Sequence, residues 1–238
     1  MRKHIPNFIT MINLFCGCCA LVCVFNELFE WVFIFLFIGG AADYADGMVA
    51  RLLNVKSPLG KELDSLADMV SFGVVPGAII YMLLTKSPVG FESDFPLKWW
   101  ATAGFIITVF SGLRLAKFNL DVRQSEDFIG LNTPACTMFI IGLMLIYEFD
   151  TAGMADLVVQ PILLYSVVFL FSFLLVAEIP MFSFKFKGMK WQGNESRIAF
   201  IVLAVLLLIF LKEIAFSLII LLYVLYSLTR YFVYKNSQ

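Results

Sequence analysis

The chain has 238 residues, 61% of them hydrophobic and only 15% charged, and its formal net charge is −1. A soluble domain averages about 45–50% apolar and about 25% charged residues, so the composition excludes an ordinary soluble enzyme. The near-neutral balance offers no basic surface for nucleic acid, and the mean hydropathy of +0.90 predicts an all-α, polytopic membrane helix bundle.

The chain opens MRKHIPNFIT, with basic residues ahead of an apolar run. No clear small-residue cleavage pattern follows and many apolar segments come after it, so the stretch reads as a retained first helix. A membrane span needs about 20 apolar residues. Eight segments qualify, at 8–25, 31–53, 62–84, 99–120, 135–149, 156–178, 195–212 and 214–234. Between the second and third, residues 54–60 contain Ser57-Pro58 and end in Gly60, which reads as a tight loop. Trp99 and Trp100 beside Lys98 read as an interfacial anchor. The cysteines, Cys16, Cys18, Cys19, Cys23 and Cys136, match no zinc-finger spacing and read as small apolar packing residues. His4, the single histidine, suits an interfacial position better than a catalytic one.

Orientation follows from the basic residues. With the N-terminus inside, 14 of the 17 Lys and Arg fall in inside segments, and only Lys86, Lys98 and Lys212 fall outside. Eight spans, both termini in the cytoplasm and the stretch from Asp43 to Asp68 at the cytoplasmic face of the membrane are therefore expected.

That stretch carries the chemistry. It reads DYADGMVARLLNVKSPLGKELDSLAD. On a helix, Asp43, Asp46, Gly47, Ala50 and Arg51 share one face, and Gly60, Asp64 and Asp68 line one face of the next. A short loop makes the two helices antiparallel neighbours, so two pairs of carboxylates face each other. Acids are costly near lipid and are kept there mainly for function. Four of them cannot all stay ionised together without cations, and an oxygen-only ligand set favours Mg²⁺, Mn²⁺ or Ca²⁺ over zinc. Two such ions bridged by carboxylates suit phosphoryl chemistry. Gly47 lets a ligand approach the helix, and Arg51 offers a planar donor fork to a phosphate. The plainer alternative is that the acids are polar helix ends paired with Arg51 and Lys61. A divalent-cation transporter is another, but it expects acids near mid-membrane.

The stretch fits D-x2-D-G-x2-A-R-x8-G-x3-D-x3-D at every fixed position. This resembles the signature of the CDP-alcohol phosphatidyltransferases. PNFITMINLFCG at 6–17, LDSLADMVSFGVVPG at 63–77, SGLRLAKFN at 111–119, FIGLNTPA at 128–135 and IPMFSFK at 179–185 are similar to the phosphatidylserine synthase branch. One departure is Asn132–Thr133, where a proline-containing GLP-type step is expected.

The resemblance implies one integral-membrane domain, 1–238, with helices 195–234 peripheral to its catalytic core. It implies transfer of a phosphatidyl group from CDP-diacylglycerol to an alcohol, L-serine in this branch, with CMP leaving. It also implies a dinuclear Mg²⁺ or Mn²⁺ site on Asp43, Asp46, Asp64 and Asp68, with Asp68 as the base, and a homodimer. Gly47, Arg51 and Ser57 would touch the CDP-lipid. So would Asn7 and Thr10, whose plainer role is helix capping. A serine pocket needs a cation for the carboxylate. Arg114 and Lys117, with Asn119 close by, are the expected ligands for serine carboxylate or lipid phosphate, against a plain positive-inside flank. Lys185, Lys187 and Lys190 read as a loop facing anionic lipid. Glycerol 3-phosphate or inositol phosphate is the alternative acceptor.

Overall fold

The structure, a computed structural model, describes residues 4–55, 57–88, 97–121, 128–182 and 194–235. Arg2, Lys3, Lys56, Arg123, Lys185, Lys187 and Lys190, which enter the orientation argument, lie outside the described residues.

Every apolar segment is helical. The order is α1 (His4–Phe25), α2 (Phe29–Leu52), α3 (Pro58–Met69), a π-helical turn (Val70–Val74), α4 (Val75–Thr85), a 3₁₀ turn (Trp99–Gly104) and α5 (Phe105–Leu120). Then follow β1 (Phe128–Ile129), α6 (Thr133–Glu148), a 3₁₀ turn (Thr151–Gly153), α7 (Ala155–Val158), α8 (Pro161–Val176), β2 (Pro180–Met181), α9 (Glu195–Leu211) and α10 (Glu213–Lys235). Among the described residues, five helical stretches are long and apolar enough to cross a membrane: His4–Phe25, Phe29–Leu52, Pro58–Thr85, Trp99–Leu120 and Glu213–Val233. Helices α6 and α8 are apolar but shorter, at 16 residues each.

Local chemistry sets the boundaries. The α2–α3 connection is tighter than expected, and Gly60 lies in the first turn of α3 rather than closing the loop. Ser57 is the N-cap, its hydroxyl accepting from Gly60 N at 3.2 Å, and Pro58 occupies the first turn, where its missing N–H costs nothing. Asn54 takes the left-handed conformation at φ 51° that the reversal needs. The departure at Asn132–Thr133 is likewise a cap: Asn132 accepts from Ala135 N at 2.8 Å and opens α6. Pro161 holds Gln160 extended, which separates α7 from α8 and splits the segment predicted at 156–178. Lys212 alone joins α9 to α10.

Helices α4 and α6 form the centre, buried on nearly all sides. Helix α1 packs along α2 and α3, α5 lies between α4 and α8, and α10 runs along α6. No residue of α9 is buried, whereas α10 buries Ala215, Ser217, Ile219, Ile220, Tyr223, Val224 and Ser227. Phe8, Phe15, Phe37, Ile162 and Phe169 are among the large apolar side chains that face outward, as lipid-facing helix surfaces require.

Small residues let the helices touch. A Cβ on Gly104 would lie 2.7 Å from Tyr81 N and 2.8 Å from Gly77 O, both backbone atoms, whereas a Cβ on Gly47 would meet nothing within 4 Å. Gly104→Ala is therefore expected to cost about 1–3 kcal/mol of overpacking. Gly47→Ala should keep or raise stability, by up to about 1 kcal/mol of helix propensity. Thermal unfolding of the two variants in detergent checks the contrast.

Candidate active site

Helices α2 and α3 bring the four aspartates to one end of the bundle. Carboxylate oxygens of Asp43, Asp64 and Asp68 lie within 4.8 Å of one another. Asp46 stands apart from this trio. It is buried, and its Oδ2 accepts a hydrogen bond from the Thr10 hydroxyl of α1. Three residues along a helix leave Asp46 about 60° around the axis from Asp43, so it still interacts with Asp64 of α3 and lines a cavity with it while reaching Thr10 of α1. The two facing pairs expected from the spacing are thus a trio plus one acid held by Thr10.

None of the four acids has an ion-pair partner among the described residues. Asp68 Oδ1 is buried without a hydrogen-bond partner. Clustered carboxylates with no direct ion pair and an orphaned oxygen suit a hard divalent cation. The residues fit such a metal, which Asp43, Asp64 and Asp68 would hold with Asp46 adjoining.

One cavity is lined by two of the acids, and a second carries Arg114, which interacts electrostatically with Asp68. The first, of about 250 Å³, is lined by Asn7, Thr10, Asp46, Gly47, Ser57, Lys61 and Asp64. Gly47 adds open space there, and the Asn7 side chain comes close to Gly60, where a Cβ would lie 3.0 Å from its Oδ1. Arg51 is not on this wall. It is exposed, and its Nε donates to Gly47 O at 3.0 Å. Lys61, read from sequence as a basic flank or a partner for the acids, lines the cavity. Its place one turn after Ser57, on a helix that begins at Pro58, is the signal that the loop expectation concealed.

The second cavity, of about 380 Å³, is lined by Arg114 and Lys117 of α5 together with Asp121, Ile129, Ala177 and Glu178 among others. Arg114 is only 8% exposed and its Nε has no hydrogen-bond partner. Its guanidinium lies over the Phe118 ring at 5.3 Å and interacts electrostatically with Asp68, though no direct ion pair joins them. Asn119 does not face this cavity. Its Nδ2 donates to Ser65 Oγ at 2.8 Å and its carbonyl accepts from Lys61 Nζ at 2.9 Å, which pins the end of α5 to α3. Asp121 and Glu178 were not singled out from sequence, because nothing local distinguishes an acid at a helix end from a solvated one.

A third, apolar groove of about 430 Å³ lies between α2, α6, α9 and α10, with Phe37, Gly40, Ala41, Met138, Ile141 and Phe216 on its walls. Gly40 is one helical turn from Asp43, so the groove opens beside the acids.

Directly after Asp68 the helix takes its π turn, a feature frequent at functional sites. Its carbonyls have side-chain donors: Thr137 donates to Phe72 O at 3.1 Å and Thr108 to Gly73 O at 2.8 Å. Ser71 donates to Asn13 at 2.8 Å on α1. Three neighbouring helices thereby fix the segment that carries Asp64 and Asp68.

A helical bundle with this acid cluster between a glycine-walled cavity and an arginine-walled one has a counterpart among known proteins. The model of the CDP-alcohol phosphatidyltransferase family matches residues 3–172, and the chain belongs to that family. It is a membrane-helix transferase of phospholipid biosynthesis. Relatives that bear the name CDP-diacylglycerol–serine O-phosphatidyltransferase include three that show the range of similarity. The chain is 32% identical to that of Bacillus subtilis (strain 168) over 167 residues, 67% of this chain and 89% of the relative. It is 30% identical to that of Helicobacter pylori (strain ATCC 700392 / 26695) over 232 residues, 95% of this chain and 90% of the relative. With that of Saccharomyces cerevisiae it shares 35% over 159 residues, 59% of this chain and 53% of the relative.

Proposed function

We propose that the protein transfers the phosphatidyl group of CDP-diacylglycerol to the hydroxyl of L-serine, giving phosphatidylserine and CMP. The observation that carries this reading is the position of the acid trio between two cavities of different character. Asp64 lines the one with Gly47, Ser57 and Lys61, and Asp68 interacts with Arg114 of the other. A nucleotide diphosphate suits the first, with Asn7, Thr10, Ser57 and Lys61 as polar partners. A small acceptor suits the second, with Arg114 and Lys117 for its carboxylate. The apolar groove beside Asp43 suits an acyl chain of the lipid.

One or two Mg²⁺ or Mn²⁺ ions on the aspartates would neutralise the diphosphate and the charge that develops on the departing CMP. The residues of the chain do the rest. Gly47 leaves the α2 backbone open to the diphosphate. Arg114 holds the acceptor with its hydroxyl toward Asp68. Asp68 takes the hydroxyl proton as the serine oxygen bonds to the phosphorus bearing diacylglycerol and the bond to the CMP oxygen breaks. A single displacement of this kind inverts configuration at phosphorus and needs no covalent enzyme intermediate. Eight spans with both termini in the cytoplasm, the acids at the cytoplasmic face of the membrane and a homodimer belong to the same reading. The basic-residue distribution supports the orientation, and the family resemblance supports the dimer.

Arg114 and Lys117 also suit a phosphorylated acceptor, which makes glycerol 3-phosphate or inositol phosphate the second reading. Purified protein with CDP-diacylglycerol and Mn²⁺ is expected to release CMP on addition of L-serine and not of either phosphorylated alcohol. Release driven by a phosphorylated alcohol and not by serine would replace the proposal with the second reading.

A further inference from the structure

The cavity beside Arg114 carries both signs of charge. Arg114 and Lys117 lie on α5, Asp121 ends that helix, and Glu178 stands on the strap that follows α8. Among the described residues neither cation is ion-paired to Glu178. A buried charged donor without a partner costs about 1–3 kcal/mol or more, so the orphaned Arg114 Nε points to a ligand that completes it.

The strap is held firmly. Ala177 N donates to Phe173 O at 2.9 Å, Gly130 N donates to Ile179 O at 2.9 Å, and β2 pairs antiparallel with β1. From α10, Tyr223 donates its hydroxyl to Phe182 O at 3.0 Å, and Ser227 Oγ accepts from Phe182 N at 3.1 Å. Gly130, at φ 76°, allows the β1 turn to sit within contact of the strap carbonyls, where a Cβ would lie 3.0 Å from Ala177 O. The backbone at Glu178 is therefore set between a helix end and a strand pair, and its carboxylate is presented on a fixed support.

We propose that this cavity is a zwitterion site, in which Glu178 receives the ammonium of the amino-acid acceptor while Arg114 and Lys117 hold its carboxylate. The inference rests on the amino-acid reading of the acceptor and adds to it the residue that selects the class. An α-amino acid carries its two charges on one carbon, so a lining of mixed sign complements it. A phosphorylated alcohol carries negative charge alone and meets Glu178 as a repulsive wall, and an uncharged polyol gains from neither sign. Selection then comes from a repulsive element as well as an attractive one.

The test compares wild type, E178Q and E178D in detergent with CDP-diacylglycerol and Mn²⁺, using L-serine and L-glycerate, in which a hydroxyl replaces the ammonium at the same configuration. E178Q is expected to raise the KM for serine about tenfold or more, the size of one lost charge-assisted hydrogen bond. It should leave the KM for CDP-diacylglycerol unchanged and narrow the preference for serine over glycerate by a similar factor. E178D should restore most of that preference, which a merely structural role would not produce. An unchanged serine KM together with an unchanged serine-to-glycerate ratio in E178Q would overturn the zwitterion site. Failure of the wild type to use serine, with use of a phosphorylated alcohol, would instead overturn the amino-acid reading on which the site rests.

Discussion

Asp68→Asn is expected to reduce turnover by about 10²–10⁴-fold, the usual contribution of a positioned proton acceptor, while CDP-diacylglycerol still binds. The exchange keeps the shape of the side chain and removes its basicity. Asp68 is the member of the acid trio with a buried oxygen lacking any hydrogen-bond partner, and it is the one coupled to the arginine of the second cavity. Both features suit an atom that faces an acceptor hydroxyl. The variant also gives up one oxygen of the carboxylate cluster that would hold a metal, so the measurement needs two arms. CMP release is followed across a Mn²⁺ titration, and CDP-lipid binding is followed by calorimetry. Activity that stays low at saturating Mn²⁺ with lipid still bound assigns the proton to Asp68. Recovery of near-normal rate at high Mn²⁺ would reduce Asp68 to a ligand.

Asp43→Ala is expected to act on the metal itself. Asp43 is the α2 member of a trio whose other two acids stand on α3, so its removal leaves the trio with oxygens from α3 only. A divalent ion that binds only the folded protein stabilises it by RT ln(1 + [L]/Kd), about 2.7 kcal/mol at 100 times Kd. The wild-type melting temperature should therefore climb with added Mn²⁺, and that of Asp43→Ala should climb far less or not at all. The acids repel one another without a cation, so the variant in metal-free buffer should be at least as stable as the wild type. Equal Mn²⁺-dependent shifts in the two proteins would remove Asp43 from the metal site.

Much of this was legible in the residues. The spacing of Asp43, Asp46, Asp64 and Asp68 fixes which helix faces they share, and a five-residue connection forces those faces together. The sequence does not state where a third helix will press. Asp46 leaves the trio because α1 offers it the Thr10 hydroxyl, a contact across 36 positions that no local pattern records. Residues near α5 divide for the same reason. Arg114 and Lys117 face the cavity, but Asn119, two positions further, turns to Ser65 and Lys61 of α3. The loop before α3 was misjudged on local grounds alone. Ser57-Pro58 reads equally as turn or as helix start, and the Gly60 amide on the Ser57 hydroxyl decides for the helix.

The π turn at Val70–Val74 has a further consequence. Its bonds run from i to i+5 instead of i+4, so it introduces one more residue than an α-helix would use over the same turn. One residue is about 100° of rotation. The turn works as a phase shifter inside the Pro58–Thr85 rod: the acidic stripe of α3 and the oily surface of α4 are indexed independently. The packing of α4 at the bundle centre can therefore be rewritten by substitution without re-aiming the carboxylates. Loss of a single residue in this turn would swing Asp64 and Asp68 out of alignment with Asp43 although every side chain of the site was still present.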